Sequence, residues 1–426
     1  MLSKLPDANF TKLRKVLVIV GTTGVGKTKL SIEVAKAVNG EIINSDAMQM
    51  YRGLDIATAK ITEEEKEGIP HHLFDIIEPT DAIDVNHYKQ QALKVIDQIL
   101  SRNKVPIIVG GTMYYTQSIL WNSQLLDEEC VQGTKDQAGL NTLKSLSAKQ
   151  MFKKLQELDP VMASRLHINN TRRVRRGLEV LYQTGKRQSD LLDEQQNSRK
   201  NAQRLFDASA LMLHCQHETL LARLEKRVDN MMQLGLIDEL KSLRAQVKSL
   251  DCEPNKLLEE GSRTGILQAI GYKEFESYLR ADESGSYSTN ELNSELAKCI
   301  QLLNIATRQY ARRQLAWIRN KFINRNIPVY SLDTTNLDQW HETVAKPAIR
   351  IAQSFLKGET IAQHKTIQEM KSDPLDQQNS EDKWIENTCE ACGSRRFLGI
   401  VQWQEHLRSK KHRANQKTSL SLKQIG

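Results

Sequence analysis

No stretch of this sequence approaches the roughly 20 unbroken apolar residues that a membrane-spanning helix needs. The longest candidate, residues 16–20, has the length of a strand, and a hydrophobic fraction of 39% points to folded domains with a real core. Cysteine is scarce too. Six in 426 residues exclude a disulfide scaffold and fit a reducing compartment. Cys130, Cys215, Cys252 and Cys299 are widely scattered, and only Cys389 and Cys392 stand close together. Methionine is missing between Met1 and Met48, so a shorter product started at a methionine is expected to lack the motif at residues 21–28. Acidic residues are missing from Gln301 to Leu332, where Arg308, Arg312, Arg313, Arg319, Lys321 and Arg325 all fall.

That local imbalance says more than the net charge. Lys and Arg exceed Asp and Glu by 60 to 52, giving +8, a modest excess whose placement matters more than its size. A second basic cluster is Arg172, Arg173, Arg175, Arg176, Lys186 and Arg187, and a third is Arg395, Arg396, Arg408, Lys410, Lys411 and Arg413. Solvated helix faces would explain any one of them. Three together suggest a large polyanion as partner rather than one small anion. The N-terminus carries Lys4, Lys12, Arg14 and Lys15 against Asp7, too thin an enrichment for a strong organellar address.

The length suggests two or three domains. Apolar β-branched runs at residues 16–20, 41–45, 105–109, 208–213 and 329–332 read as strands, and residues 29–38 and 86–100 carry helical spacing. This rhythm predicts an α/β fold with a parallel sheet covered by helices. Residues 125–204 are polar, helix-prone and poor in strands, with 130–141 loop-like, and read as a helical insertion. The expected division is therefore a core at 12–124 and 205–349, the insertion at 125–204, a linker at 350–382 and a compact module at 383–417. Within the linker, residues 373–382 have little to bury.

The chemistry begins at Gly21, Thr22, Thr23, Gly24, Val25, Gly26, Lys27 and Thr28, which satisfy the phosphate-loop pattern GxxxxGK(S/T). Glycines let successive N–H groups converge on phosphate oxygens, Lys27 adds a charge, and the Thr28 hydroxyl is placed for Mg²⁺. The motif follows a strand and opens a helix, the context it requires. It reads phosphate and not the group attached, so an ATP-dependent kinase of a small metabolite is a live reading at this point. Asp46 should stand at the carboxyl end of the second strand, where open α/β sheets keep ligands. A carboxylate there can hold Mg²⁺, cap a helix or act as a base.

Eight blocks occur in a fixed order: GTTGVGKT, NSDAMQMYRGLDIATAK, GIPHHLFD, PIIVGGTMYY, RRVRRGLEVLYQTGK from Arg172, RLEKRVDNM from Arg223, QAIGYKE from Gln268 and TRQYARRQLAW from Thr307. Together they resemble the tRNA dimethylallyltransferase (tRNA isopentenyltransferase) family over most of residues 15–332, in its eukaryotic form because of the closing cysteine/histidine module. The resemblance implies a P-loop NTPase-like core whose loop holds the diphosphate of dimethylallyl diphosphate, not ATP. It implies that Asp46 takes the proton from the N6 of the target adenine, with Thr23 near the reacting centre and Arg223 stabilising the leaving group. It implies tRNA contacts from Asp46, Ala47, Met48, Gln49, Thr112, Arg173 and Arg176. The partner it implies is a tRNA anticodon stem-loop, bound by a monomer with no membrane attachment. The compartment it implies is the cytoplasm, with mitochondrial and nuclear pools open.

Two positions depart from the family pattern. Ala47 replaces the usual serine after the aspartate, and Asn170 replaces an acidic residue before the arginine-rich helix, so RNA positioning is where differences are expected. His71-His72 is declined as a metal site, because adjacent side chains diverge on a strand or helix. Cys389-x2-Cys392, thirteen residues, then His406-x5-His412 has the ligand types and spacing of a Cys2His2 Zn²⁺ site. Phe397, Trp403 and Leu407 can supply its small core. Ligands six apart lie about 240° around a regular helix, so the helix is expected to loosen before His412, as suits a finger that meets RNA phosphates. A finger that docks a protein is the other reading, and an RNA-binding protein with a dead nucleotide site is the other reading of the whole chain.

Overall fold

The computed structural model describes residues 13–122, 136–200, 204–249 and 265–359, apart from 80, 82, 144 and 324–326. It also describes 361 and 366 and, toward the C-terminus, 386–389, 392, 395–398, 403, 406–407, 412 and 416. Residues Met1–His364 make one compact unit and Lys365–Gly426 a second.

The first unit is built on six parallel strands: β1 (Lys15–Gly21), β2 (Gly40–Asn44), β3 (His71–His72), β4 (Val105–Val109), β5 (Asp207–His214) and β6 (Val329–Asp333). Their order in the sheet is β3-β2-β4-β1-β5-β6. β1 lies in the middle and is buried from Val16 to Gly21, as a strand covered on both faces must be, and such strands read as continuous apolar runs. Helix α1 (Lys27–Val38) leaves the loop after β1, and Leu30, Val34 and Ala35 turn into the core with Leu17, Ile19 and Ile42. Then follow α2 (Asp55–Thr58), α3 (Val85–Ser101) and α4 (Met113–Leu120). Asp84 caps α3 by accepting from the N–H of His87 at 2.8 Å.

The chain leaves the sheet after Trp121 and comes back beside it, where Trp121 bridges Arg204. Between those points lie α5 (Gln137–Leu143), α6 (Ala148–Leu158), α7 (Pro160–Ser164), α8 (Thr171–Thr184) and α9 (Gln188–Lys200). They share a small core of their own, with Leu143, Met151, Leu155, Met162, Val174 and Leu178 buried. The loop expected at 130–141 gives way to helix from Gln137, and residues 130–135 lie outside those described. The return path carries α10 (His217–Gln233), α11 (Leu236–Ser249), α12 (Glu276–Ser284), the 29-residue α13 (Thr289–Trp317) and α14 (Lys346–Lys357).

The linker expected at 350–382 starts too early. Residues 350–357 belong to α14, whose Ala348, Ile351 and Ala352 are buried in the core under the sheet. The surrounding Gln, Lys and Arg mask this apolar face, and burial of that face holds the helix in place. Residues 373–382 lie outside those described.

His71 and His72 do diverge. The Nδ1 of His71 lies 2.7 Å from the Ile69 carbonyl, while the Nε2 of His72 lies 2.7 Å from Glu41. Glu41 is 1% exposed within β2 and also receives Arg102 at 2.7 Å and Lys104 at 2.9 Å. Burial alone would raise its carboxyl, but hydrogen bonds from Lys104, His72 and Arg102 prevail and hold it at about 2. A depressed carboxyl contributes stability that is complete above the unfolded value and is lost as pH falls through the folded one. The window is therefore pH ~4.5 down to ~2. Unfolding midpoints in urea should fall across it. Glu41→Gln should flatten that dependence and cost on the order of 1–3 kcal/mol at neutral pH.

Candidate active site and metal cluster

A cavity of about 590 Å³ opens at the carboxyl ends of β1, β2 and β4, the edge where parallel sheets collect ligands. Thr23, Gly24, Gly26, Lys27 and Thr28 form one wall. Gly24 and Gly26 take φ of 83° and 91°, which a side chain tolerates poorly. A Cβ on Gly26 would also stand 2.9 Å from the Trp340 ring. The remaining loop residues support this wall from behind. Val25 is buried in the core, and Gly21 lies so close to β5 that a Cβ would meet the Leu213 carbonyl at 2.7 Å. The Thr22 carbonyl accepts from the Nζ of Lys27 at 2.7 Å.

Asp46 faces Lys27 across the cavity. Asn44, the last residue of β2, fixes the turn: its Oδ1 accepts from the Asp46 N–H at 2.8 Å, and its Nδ2 donates to the carbonyls of Asp46 and Leu73 at 3.0 Å each. The Met48 N–H donates to Asp46 Oδ1 at 3.1 Å, and the Ala47 N–H donates to Thr112 Oγ1 at 3.2 Å. Asp46 itself is part of the cavity lining. Burial raises the Asp46 carboxyl above its ordinary value, while the Met48 N–H, Lys27 and Arg227 pull the other way without cancelling it. Burial likewise lowers Lys27 to about 8, with Asp46 opposing that and Arg227 adding to it. An acid, an ammonium and a guanidinium thus share one enclosed space. Such groups attract a ligand with two features: a polyanionic end and a hydrogen-bond donor.

The expected residues divide clearly. Asp46, Ala47, Met48, Gln49 and Thr112 line the cavity with the phosphate loop. Gln49 is partly occupied, since its Nε2 donates to the carbonyls of Thr58 and Ala59 at 3.1 and 3.2 Å. Arg173 and Arg176 are exposed on α8, away from the lining, and Arg176 pairs with Glu179 at 3.7 Å. Arg223 is not brought to the cavity. Its guanidinium donates to the carbonyls of Thr334 and Thr335 at 2.6 and 3.1 Å, which ties α10 to the loop after β6. One helical turn later, Arg227 lines the cavity instead. Both arginines lie in the same sequence block at i and i+4, one face of one helix, so the block alone does not separate them. Tyr310 and Gln314 of α13 also line the cavity. Both fall in the block TRQYARRQLAW, which carries the family resemblance without singling out either side chain.

The second unit holds the metal-ligand cluster. β7 (Glu386–Cys389) and β8 (Arg395–Leu398) form an antiparallel pair, with Cys389 at the end of β7 and Cys392 just beyond it. The ligand atoms of Cys389, Cys392, His406 and His412 all lie within 4.8 Å of one another. His412 Nδ1 is 3.4 Å from the Cys389 sulfur and 3.6 Å from that of Cys392. Ligands at Zn–S and Zn–N bond lengths around a tetrahedral ion are separated by about 3.5 Å, so these two thiolates and two imidazoles can bind Zn²⁺. The Trp403 ring is partly buried and stacks on His406, whereas Leu407 is 37% exposed and is not the core residue expected. Residues 408–411, where the helix was expected to loosen, lie outside those described.

A family model described as IPP transferase matches residues 49–321. The tRNA dimethylallyltransferase of Saccharomyces cerevisiae is 34% identical over 413 residues, covering 95% of this chain and 92% of its own. The human tRNA dimethylallyltransferase is 32% identical, over 93% of this chain and 85% of its own. A bacterial one, from Bacillus mycoides, is 41% identical over 72% of this chain and 87% of its own. Among solved structures, a eukaryotic dimethylallyltransferase acting on tRNA matches with a TM-score of 0.76 at 33% identity, covering 97% of this chain and 98% of that one.

Proposed function

The chain belongs to the tRNA dimethylallyltransferase (IPP transferase) family, in its eukaryotic form, and from that premise we propose a specific reaction and a role for each group in the cavity. The chain is a prenyltransferase that acts on tRNA. It transfers the dimethylallyl group of dimethylallyl diphosphate to N6 of the adenosine 3′-adjacent to the anticodon. The observation that carries this reading is the convergence of Asp46, Lys27 and Arg227 on one cavity beside the phosphate loop.

N6 attacks the first carbon of the prenyl group, the carbon–oxygen bond breaks, and the electron pair leaves with the diphosphate. The N6 proton passes to the Asp46 carboxylate, which an exocyclic amine needs because it is a poor nucleophile until its proton has somewhere to go. Lys27, the loop amides and Arg227 stabilise the charge that gathers on diphosphate. Thr28 brings its hydroxyl to the same cavity, the hard oxygen that a phosphate loop offers to a diphosphate-bound Mg²⁺; when bound, that ion would neutralise part of the leaving group's charge. The adenine reaches Asp46 only if it turns out of the anticodon loop. The exposed arginines of α8 are the groups we assign to the anticodon arm, acting from a helical insertion at roughly residues 125–204. Among the described residues no helix is long and apolar enough to cross a membrane. We take the protein as a monomer of the cytosol, with mitochondrial and nuclear pools open to it.

The finger contributes affinity in this scheme. Residues 383–417 carry eight basic and three acidic side chains. Replacing Cys389 and Cys392 by serine should lose the zinc and unfold the module, since the metal supplies most of such a domain's folding energy. KM for tRNA should rise and the salt dependence of binding should flatten, because fewer counterions are released. The rate at saturating tRNA should change much less. Affinity measured against salt for both proteins checks this; identical slopes with the zinc gone would assign the finger to another partner.

Labelled dimethylallyl diphosphate incubated with unmodified tRNA tests the function itself. Label should enter the RNA without ATP. Phosphate transfer from ATP to a small acceptor would replace this reading by a kinase.

A further inference from the structure

One amide in the cavity wall joins parts of the chain that are far apart in sequence. Gln314, on α13, is 4% exposed. Its Oε1 accepts from the Thr23 N–H at 2.8 Å, and its Nε2 donates to the Gly111 carbonyl at 3.1 Å. One end of the amide therefore holds the phosphate loop and the other holds the turn after β4. The approach at Gly111 is close. A Cβ there would stand 2.2 Å from Gln314 Nε2, so a side chain at Gly111 would displace the glutamine amide. The next residue, Thr112, accepts from the Ala47 N–H, and Ala47 adjoins Asp46. A continuous path runs from Thr23 through Gln314, Gly111 and Thr112 to the turn that carries Asp46.

This use of Thr23 is unusual for a phosphate loop, whose amides ordinarily point at the anion. Here that amide is held by a side chain from a helix 291 residues further on. Only a neutral side chain with a donor and an acceptor on one rigid plane can serve both partners. A carboxylate would satisfy Thr23 but set an acceptor against the Gly111 carbonyl, and an apolar side chain would satisfy neither.

We propose that Gln314 is a positioning residue for prenyl transfer, fixing the distance between the diphosphate site and the Asp46 turn. The inference rests on the function proposed above and deepens it. A fixed separation of donor and acceptor acts on the rate of the bound complex and not on the affinity for either substrate, since misplacement by about 1 Å can cost on the order of 10²-fold. A glutamine that merely stabilised the fold would lower the melting temperature without this selectivity.

The test is single-turnover transfer from labelled dimethylallyl diphosphate to unmodified tRNA, with full-length wild type, Gln314→Met and Gln314→Glu, alongside dissociation constants for both substrates. Gln314→Met should transfer about 10–100-fold more slowly at saturation, with both constants within about 3-fold of wild type. Gln314→Glu should lose rate in the same way and serves as the readout if Gln314→Met does not fold. A folded variant with the wild-type saturated rate, or with its loss confined to affinity, overturns the role of Gln314 alone. A wild type that transfers no label overturns the function and this role with it.

Discussion

Asp46→Asn should slow prenyl transfer by on the order of 10²–10⁴-fold, and tRNA binding should change far less. Asparagine keeps the size and the Oδ1 that accepts from the Met48 N–H, so the turn should hold its shape while the proton acceptor disappears. The pH profile supplies a second readout of the same group. Asp46 must be ionised to accept a proton, and burial raises its pKa, so kcat/KM in the wild type should climb with pH through a range above that of an ordinary aspartate. The falling limb belongs to Lys27, lowered to about 8 in the free protein: above that pH the diphosphate meets a neutral amine. Near-normal turnover by Asp46→Asn, or a profile flat from acid to pH ~9, would remove Asp46 from the role of base.

Lys27→Ala should reduce kcat/KM for dimethylallyl diphosphate by about 10²–10³-fold, the range for losing one well-placed stabiliser of developing negative charge. The loss should fall on both ground-state affinity and rate, because the ammonium meets the diphosphate before and after the bond breaks. The ammonium now donates to the Thr22 carbonyl 2.7 Å away, a contact that also helps shape the loop, so Lys27→Arg is a useful companion. It keeps the charge but changes the geometry and should recover affinity more than rate. Steady-state kinetics with the prenyl donor varied at saturating tRNA measures both. A loss in tRNA affinity alone would contradict the assignment of Lys27 to the donor.

Much of this fold could be read from residue order, for reasons that particular elements make plain. Five of the six strands announce themselves as apolar runs because both faces of the sheet are covered, and the phosphate loop is local by nature. β3 could not be read this way. It consists of His71 and His72 alone and is defined by pairing with Ile42 and Ile43 of β2, a long-range property with no local signature. α14 was hidden by composition, since Lys, Gln and Arg surround the Ala348, Ile351 and Ala352 that pack on the sheet.

The candidate site divides in the same way. Lys27 and Asp46 stand in short blocks whose chemistry is legible. The choice between Arg223 and Arg227 is not, because a four-residue step keeps the helix face and changes only the height along it. Arg223 is held by the carbonyls of Thr334 and Thr335, which no motif foretells. Gln314 is harder still, since its partners Thr23 and Gly111 lie 291 and 203 residues away. Contacts of that kind emerge only when the chain closes on itself.

In the proposed reaction, Asp46 and the phosphate loop together join a prenyl group to one adenine of tRNA. The most direct measurement is mass analysis of the anticodon-loop fragment after unmodified tRNA is incubated with the full-length protein and dimethylallyl diphosphate, without ATP. The fragment should gain one prenyl group on the adenosine 3′-adjacent to the anticodon, with the product strongly reduced for Asp46→Asn. An unmodified fragment, or a prenyl group on a different nucleotide, would contradict it.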